Sequence, residues 1–293
     1  HLHPGAQSLR CGTSPEEIAQ LVQRLARLGP IVIGLEASGG YESRLADSLH
    51  AAGLAVHVVA PARVRGFARA IGQLAKTDRI DAAMIARYLM AVRADLTPYA
   101  PDPARRRLRA ISAHRRRLVA ERSGLVSQLD TIDEPLVRDL IETRLMAIVD
   151  DIATLEAAIA DLLARTPALR QCHARLRQVT GVGPVLATAL LADMPELGRV
   201  SSKVAAALVG VAPYARQSGK SDRNGRCAGG RKHLRDVAYM AVLSAIKVKD
   251  PVLGGFYQRL RARGKPFKLA MIATVRKLIT ILNAIARSEP DFV

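Results

Sequence analysis

Pro30-Ile31-Val32-Ile33-Gly34-Leu35-Glu36 is a short apolar run rich in β-branched residues that ends on a carboxylate. It reads as a buried strand, with Gly39-Gly40 breaking the chain just beyond it. Upstream, Ser14-Pro15-Glu16-Glu17 places Ser at an N-cap, Pro at N1 and Glu at N3, so a capped helix should run to about Leu28. Downstream, 41–52 is amphipathic, Ala55-Val-His-Val-Val-Ala60 repeats the strand signature, and Pro61 stops it. Stretches 62–75 and 78–92 then read as helices. Strand, helix, strand, helix predicts an α/β layer with a largely parallel sheet over residues 1–100.

The character changes after residue 100. Pro103 opens a helix carrying Arg105, Arg106, Arg107, Arg109, Arg115, Arg116, Arg117 and Arg122. It is either a nucleic-acid-facing helix or a solvated basic face. Pro135 starts a second helix, in which Leu145, Ile148, Ile152, Leu155, Ile159 and Leu162 alternate spacings of three and four. That seam suits an intermolecular coiled coil or a helix packed on its predecessor. Residues 171–293 read as wholly helical, apart from a polar loop of about fourteen residues from Gln217 to Gly230.

Composition narrows the function. A net charge of +18 implies a polyanionic partner. Residues 205–293 carry 17 Lys and Arg against 5 Asp and Glu, so the contact should lie mainly there. Trp is absent and aromatics are sparse, which argues against a base-stacking platform. Cys11, Cys172 and Cys227 are odd in number and form no Cys-x-x-Cys, as expected of reduced thiols in a cytoplasmic protein. No apolar run reads as membrane-spanning, and no membrane partner is expected.

Three groups of residues carry chemistry. Glu36 lies at the carboxyl end of a strand, where ligands collect in open α/β sheets. Asp78 and Asp81 share a helix face and repel unless a cation lies between them. With Glu36 they suit one or two Mg²⁺ ions acting on a phosphodiester; alternatively they are solvated acids beside Lys76 and Arg79. Gly181 and Gly183, in Val-Thr-Gly-Val-Gly-Pro, suit either the phosphate-holding turn of a helix-hairpin-helix or a tightly packed helix turn. Arg216-Gln-Ser-Gly-Lys-Ser-Asp-Arg-Asn-Gly-Arg226 places Ser218 and Ser221 among Arg216, Lys220, Arg223 and Arg226, with Arg231 and Lys232 following. Cations around a phosphate allow a serine hydroxyl to attack it; the same loop without a nucleophile would simply touch phosphates.

Taken in order, Gly34-Leu-Glu-Ala-Ser-Gly-Gly-Tyr-Glu42, Val59-Ala-Pro61 and Ala75-Lys-Thr-Asp-Arg-Ile-Asp-Ala82 resemble the N-terminal domain of the DEDD insertion-sequence transposases. These are the insertion-sequence family one-hundred-ten enzymes, relatives of the Piv-type invertases. Val179-Thr-Gly-Val-Gly-Pro184, Ala206-Leu-Val-Gly-Val-Ala-Pro213, Gln217-Ser-Gly219, Gly229-Gly-Arg-Lys-His-Leu-Arg235 and Lys277-Leu-Ile-Thr-Ile-Leu-Asn283 resemble their C-terminal domain. The resemblance implies a RuvC-like, RNase-H-type domain over 1–100, a coiled-coil segment over 101–170 and an all-α transposase domain over 171–293. It implies Mg²⁺ on Glu36, Asp78 and Asp81, and a covalent serine–DNA intermediate on Ser218. It also implies DNA and a structured non-coding bridge RNA as partners, and dimers that assemble into tetramers.

The family's fourth carboxylate is an Asp on a first strand ahead of the segment matched by 1–10. The sequence from His1 onward holds no such strand, so the RuvC-like domain as written is expected to be incomplete, with an open sheet edge, the missing aspartate is expected upstream of His1, and the polypeptide as written is expected to be inactive in strand exchange. The alternatives are a nucleic-acid-binding remnant of such an element, or an invertase or junction resolvase working with acidic residues alone.

Overall fold

The computed structural model describes residues 1–3, 7–218 and 221–287, and only the backbone of 215–218 and 221–225. The chain divides into two compact units, 1–102 and 103–293.

In the first unit the elements follow the sequence signals closely. Helix α1 (Pro15–Ala26) starts on a full capping box: the Glu17 amide donates to Ser14 Oγ, and the Ser14 amide donates to the Glu17 carboxylate. Strands β1 (Val32–Glu36) and β2 (Ala55–Val59) pair in parallel, Val32 beside Ala55 and Glu36 beside Val59. Helix α2 (Ser43–Ala51) crosses between them, and α3 (Pro61–Ala70) follows β2. Helix α4 (Asp78–Val92) begins where Thr77 Oγ1 accepts the Ile80 amide. Ala46, Leu49 and Val56 form one core cluster, and Val59, Val64, Ala68, Met84 and Tyr88 another.

Helix α4 lies close on β1 because Gly34 has no side chain. A Cβ there would sit 2.9 Å from Ile85 Cγ2 and 3.3 Å from Leu89 Cδ2. The outer edge of β2 is covered, since the Tyr99 amide donates to the Val56 carbonyl at 2.7 Å and Tyr99 Oη donates to Asp47. The outer edge of β1, at Val32, Gly34 and Glu36, has no backbone partner among the described residues. Residues 1–3 and 7–10 do not join the sheet; Leu2 and Gln7 make an isolated antiparallel bridge.

The second unit opens with α5 (Pro103–Leu129) and α6 (Pro135–Arg165), an antiparallel pair. Ile148, Ile152 and Leu155 of the α6 seam pack on Leu118, Val119 and Leu125 of α5, so the seam is filled within the chain. Helices α7 (Pro167–Leu176), α8 (Pro184–Asp193), α9 (Ser202–Val209), α10 (Lys232–Lys247), α11 (Leu253–Ala262) and α12 (Phe267–Arg287) make the remaining core.

Two expectations need correcting. Helix α12 is long and apolar enough to cross a membrane by length and composition, although Arg276 and Lys277 interrupt it. Met271, Val275, Leu278, Ile279 and Leu282 are fully buried, so its apolar face is used by the protein core. Residues 171–293 are also not wholly helical. The expected polar loop is an antiparallel hairpin of β3 (Pro213–Ser218) and β4 (Ser221–Cys227), with a register shift between Tyr214 and Arg216. Polar strands lack the one-sided apolar alternation that betrays a strand in sequence. Cys172 is buried, Cys11 and Cys227 are exposed, and none of the three is in a disulfide.

Candidate active site

Because α4 starts at the carboxyl end of β1, its first turn comes to Glu36. Glu36 and Asp81 line one cavity of about 240 Å³, floored by Val64, Ala68 and Met84 and rimmed by Arg65 and Lys76. Neither carboxylate has a hydrogen-bond or ion-pair partner among the described residues, Lys76 and Arg79 included. Both are half-buried. Arg65 Nη2 instead donates to the Leu74 carbonyl at 3.0 Å, tying the segment before α4 to α3. Asp78 is exposed and does not line this cavity. Among the described residues no three His, Cys, Asp or Glu side chains close on a point that would hold a metal ion.

The fit to Mg²⁺ is therefore a two-carboxylate fit. Unpaired, half-buried oxygen donors in a cavity suit a hard cation, and Mg²⁺ is usually held by one or two carboxylates, with water and substrate phosphate completing its shell. Asp78 and Asp81 also sit in the first turn of α4, where the helix dipole favours negative charge.

The loop after Glu36 is held by a residue that the sequence reading passed over. Glu42 Oε2 accepts from the Ser38 amide at 2.9 Å, the Ser38 hydroxyl at 3.1 Å and the Gly40 amide at 2.9 Å. Gly39 and Gly40 have φ of 76° and 114°, a turn that brings the Gly40 amide to the carboxylate. Burial raises the Glu42 pKa, but a hydrogen bond from its own backbone, together with those from Ser38 and Gly40, outweighs it and holds the group below its ordinary 4.5. A depressed carboxylate stabilises the fold above its unfolded pKa and loses that contribution as pH falls through the folded value. Glu42→Gln is thus expected to lower the melting temperature at pH 7, with the gap to the parent narrowing in melts run progressively below pH 4.5. A gap that is constant with pH would contradict this assignment.

Ser218 ends β3 and stands in register with Ser221. The side chains of Arg216, Ser218 and Arg223 lie outside what the structure describes, as does Lys220 altogether. Arg226, on β4, is exposed. At the base of the hairpin, Arg235 Nη1 donates to the carbonyls of Gly210 at 3.2 Å and Gly229 at 3.0 Å, one on each leg. The Arg231 amide donates to the Leu208 carbonyl, and its guanidinium holds Glu196 through two bonds of 2.9 and 2.7 Å. A Cβ on Gly210 or Gly230 would overlap the opposite leg. Lys232 pairs with Asp236 one turn on.

The arginine run of α5 splits by helical face. Arg105 Nη1 donates to the Leu191 carbonyl, Arg115 holds Glu156, and Arg116 bonds Asp193 at 2.9 Å. Asp193, buried at the end of α8, also meets His233 Nε2 at 2.8 Å and Arg109 at 3.4 Å. These partners lie far off in sequence, so their pairing had no local signal. Arg107, Arg117 and Arg122 face solvent. Arg106 is exposed and also has a partner within the protein. Gly181 has φ of 86°, and a Cβ there would overlap the Ala241 carbonyl oxygen of α10. Gly183 is the N-cap of α8, with open space around it.

The comparisons with known proteins match two stretches of the chain, the first of them running past the unit boundary through α5. A model of the DEDD transposases of the IS110 type matches residues 6–132, the stretch holding Glu36, Asp78 and Asp81. A second, described as Transposase IS116/IS110/IS902 family, matches residues 173–258, the stretch holding Gly181 and Ser218. The chain belongs to the IS110 family of transposases. It is also 28% identical over 267 residues to the pilin gene-inverting proteins of Moraxella lacunata and Moraxella bovis, covering 88% of this chain and 80% of each relative. Membership of the IS110 family makes DNA a partner and divalent metal use a family property.

Proposed function

We propose that this IS110-family chain exchanges DNA strands, with Glu36 and Asp81 as the inner carboxylates of a Mg²⁺ site, Asp78 as an outer one, and Ser218 as the nucleophile. The observation that carries the reading is the pair Glu36 and Asp81, brought from a strand end and a helix start into one cavity without partners. Mg²⁺ bound there supplies charge stabilisation to a phosphodiester under attack. The protein residues do the rest. The α4 dipole and the Glu42-held loop keep the carboxylates in place. Arg65 and Lys76 at the rim attract the phosphate. The Arg235 clamp fixes the base from which Ser218 is presented.

In this reading Ser218 Oγ forms a bond to phosphorus as the strand's bridging oxygen leaves. A DNA hydroxyl later reverses the step on a new partner. We further propose a RuvC-like architecture for the first unit, guidance by a structured non-coding RNA, and homo-oligomers from dimer to tetramer. The gene inversion in the names of the Moraxella relatives is consistent with strand exchange here.

The test is Ser218→Ala in the full encoded protein, supplied with DNA targets, the element's RNA and Mg²⁺. The parent is expected to give a protein–DNA adduct that survives denaturation, and the variant none, with nucleic-acid affinity unchanged. Recombinant product without an adduct from Ser218→Ala would refute the serine and favour a resolvase that works with carboxylates alone, whereas a surviving adduct would move the nucleophile to another side chain such as Ser221.

A further inference from the structure

The second unit contains a cavity of about 320 Å³ that the carboxylates and the hairpin do not use. It opens between α5, α6, α7 and α8. Its size is at the lower end of small-ligand pockets, roughly 300–1,000 Å³. Its walls are apolar, with Ile159 and Leu163 on one side and Pro184 and Ala189 on the other. Its polar groups are few. Ser112 lines it and is 5% exposed, and its hydroxyl has no hydrogen-bond partner. Beside it, Thr188 Oγ1 lies 3.3 Å from His173 Nε2. Burial and the nearby Arg177 lower the His173 pKa, so its ring offers one donor and one acceptor.

Charge collects at the mouth. Arg115 and Arg116 line the cavity but are engaged with Glu156 and Asp193. Arg177 also lines it, is exposed, and makes no side-chain hydrogen bond or ion pair among the described residues. The first turn of α8 begins here at Gly183, which has no side chain to cap the helix amides.

An apolar slot with an unsatisfied hydroxyl inside and a free guanidinium outside has a specific chemistry. A purely apolar guest would leave Ser112 unpaired. A bare phosphate would make no use of the walls. A planar heterocycle with donors and acceptors on its edge and a phosphate attached uses all three features. We propose that this cavity receives one unstacked nucleobase from a single strand of DNA or RNA, its edge on Ser112 and its flanking phosphate on Arg177. The inference rests on the nucleic-acid-binding reading given above and adds a base-holding site to it.

The cavity lining contains no Phe, Tyr or Trp, and its one ring, His173, is held against Thr188, so a 2-aminopurine base lodged there leaves its neighbouring bases and brightens. Single-stranded 12-mers of DNA and of RNA, each with a central 2-aminopurine and an end fluorescein, report insertion and overall binding separately. With the full chain, 2-aminopurine emission is expected to rise several-fold at saturation in at least one of the two. Ala160→Phe and Val185→Phe, both at exposed positions on the lining, should abolish the rise and weaken binding by about tenfold or less. Arg177→Gln should weaken binding and reduce the salt slope by about one charge. Anisotropy that saturates without brightening, or brightening that survives both phenylalanine variants, overturns the base site alone. Failure of both oligonucleotides to bind overturns the nucleic-acid reading with it.

Discussion

Glu36→Gln is expected to lower strand exchange by about 10³-fold or more while leaving the fold intact. The substitution keeps the shape of the side chain and removes only its charge. A bound metal's stabilisation of a phosphoryl transition state is worth several kcal/mol, and about 4 kcal/mol corresponds to that factor. Because the Glu36 side chain has no hydrogen-bond or ion-pair partner among the described residues, the exchange breaks no such bond there. Stability should stay within about 0.5 kcal/mol of the parent. Thermal melts with and without Mg²⁺ separate the two effects. Mg²⁺ should raise the melting temperature of the parent and raise it much less in Glu36→Gln or Asp81→Asn. Asp78→Asn should fall between them and the parent, since Asp78 lies on the same helix turn but outside the cavity. An unchanged Mg²⁺ response in both inner variants would remove them from the metal site.

Gly181→Val is expected to cost the second unit about 2–6 kcal/mol, enough to unfold many proteins at 37 °C. Two penalties combine. A β-branched residue at φ of 86° is strained by about 1–3 kcal/mol. Its Cβ would also overlap the Ala241 carbonyl, and forcing a side chain into a packed contact costs about 1–3 kcal/mol more. Gly183→Ala is the internal comparison. It has ordinary φ and no neighbour within 4 Å, and should cost about 1 kcal/mol or less. Urea titration of both variants measures the difference. Near-equal midpoints would show that the approach of α10 to this turn is not as close as described. The result bears on the older question of this motif, since the geometry gives Gly181 a packing reason whether or not a phosphate binds nearby.

Much of the first unit was legible because its signals are local. Thr77 followed by two acids and an apolar period marks α4 to the residue, and the two β-branched runs mark β1 and β2 to within two. The joining of Glu36 and Asp81 could be read from strand-end logic. The outward position of Asp78 could not, because three-residue spacing puts two side chains on a shared face without saying how wide the neighbouring cavity is. The hairpin around Ser218 escaped because its strands are polar on both faces. The arginines of α5 looked alike in sequence, and only folding sorts Arg105, Arg115 and Arg116 inward to partners tens of residues away.

The clamp at the base of that hairpin bears on how freely its tip can vary. Arg235 and the two touching glycine legs close the segment from Gly210 to Gly230 into a ring. Once the ends of a loop are fixed, doubling its length adds only about 0.6 kcal/mol of closure entropy. Insertions, deletions and substitutions between the strands are therefore nearly invisible to the helical core, provided the legs still meet. The fold separates the residues that secure stability from Ser218, so changes near Ser218 should be read in strand exchange and hardly at all in melting.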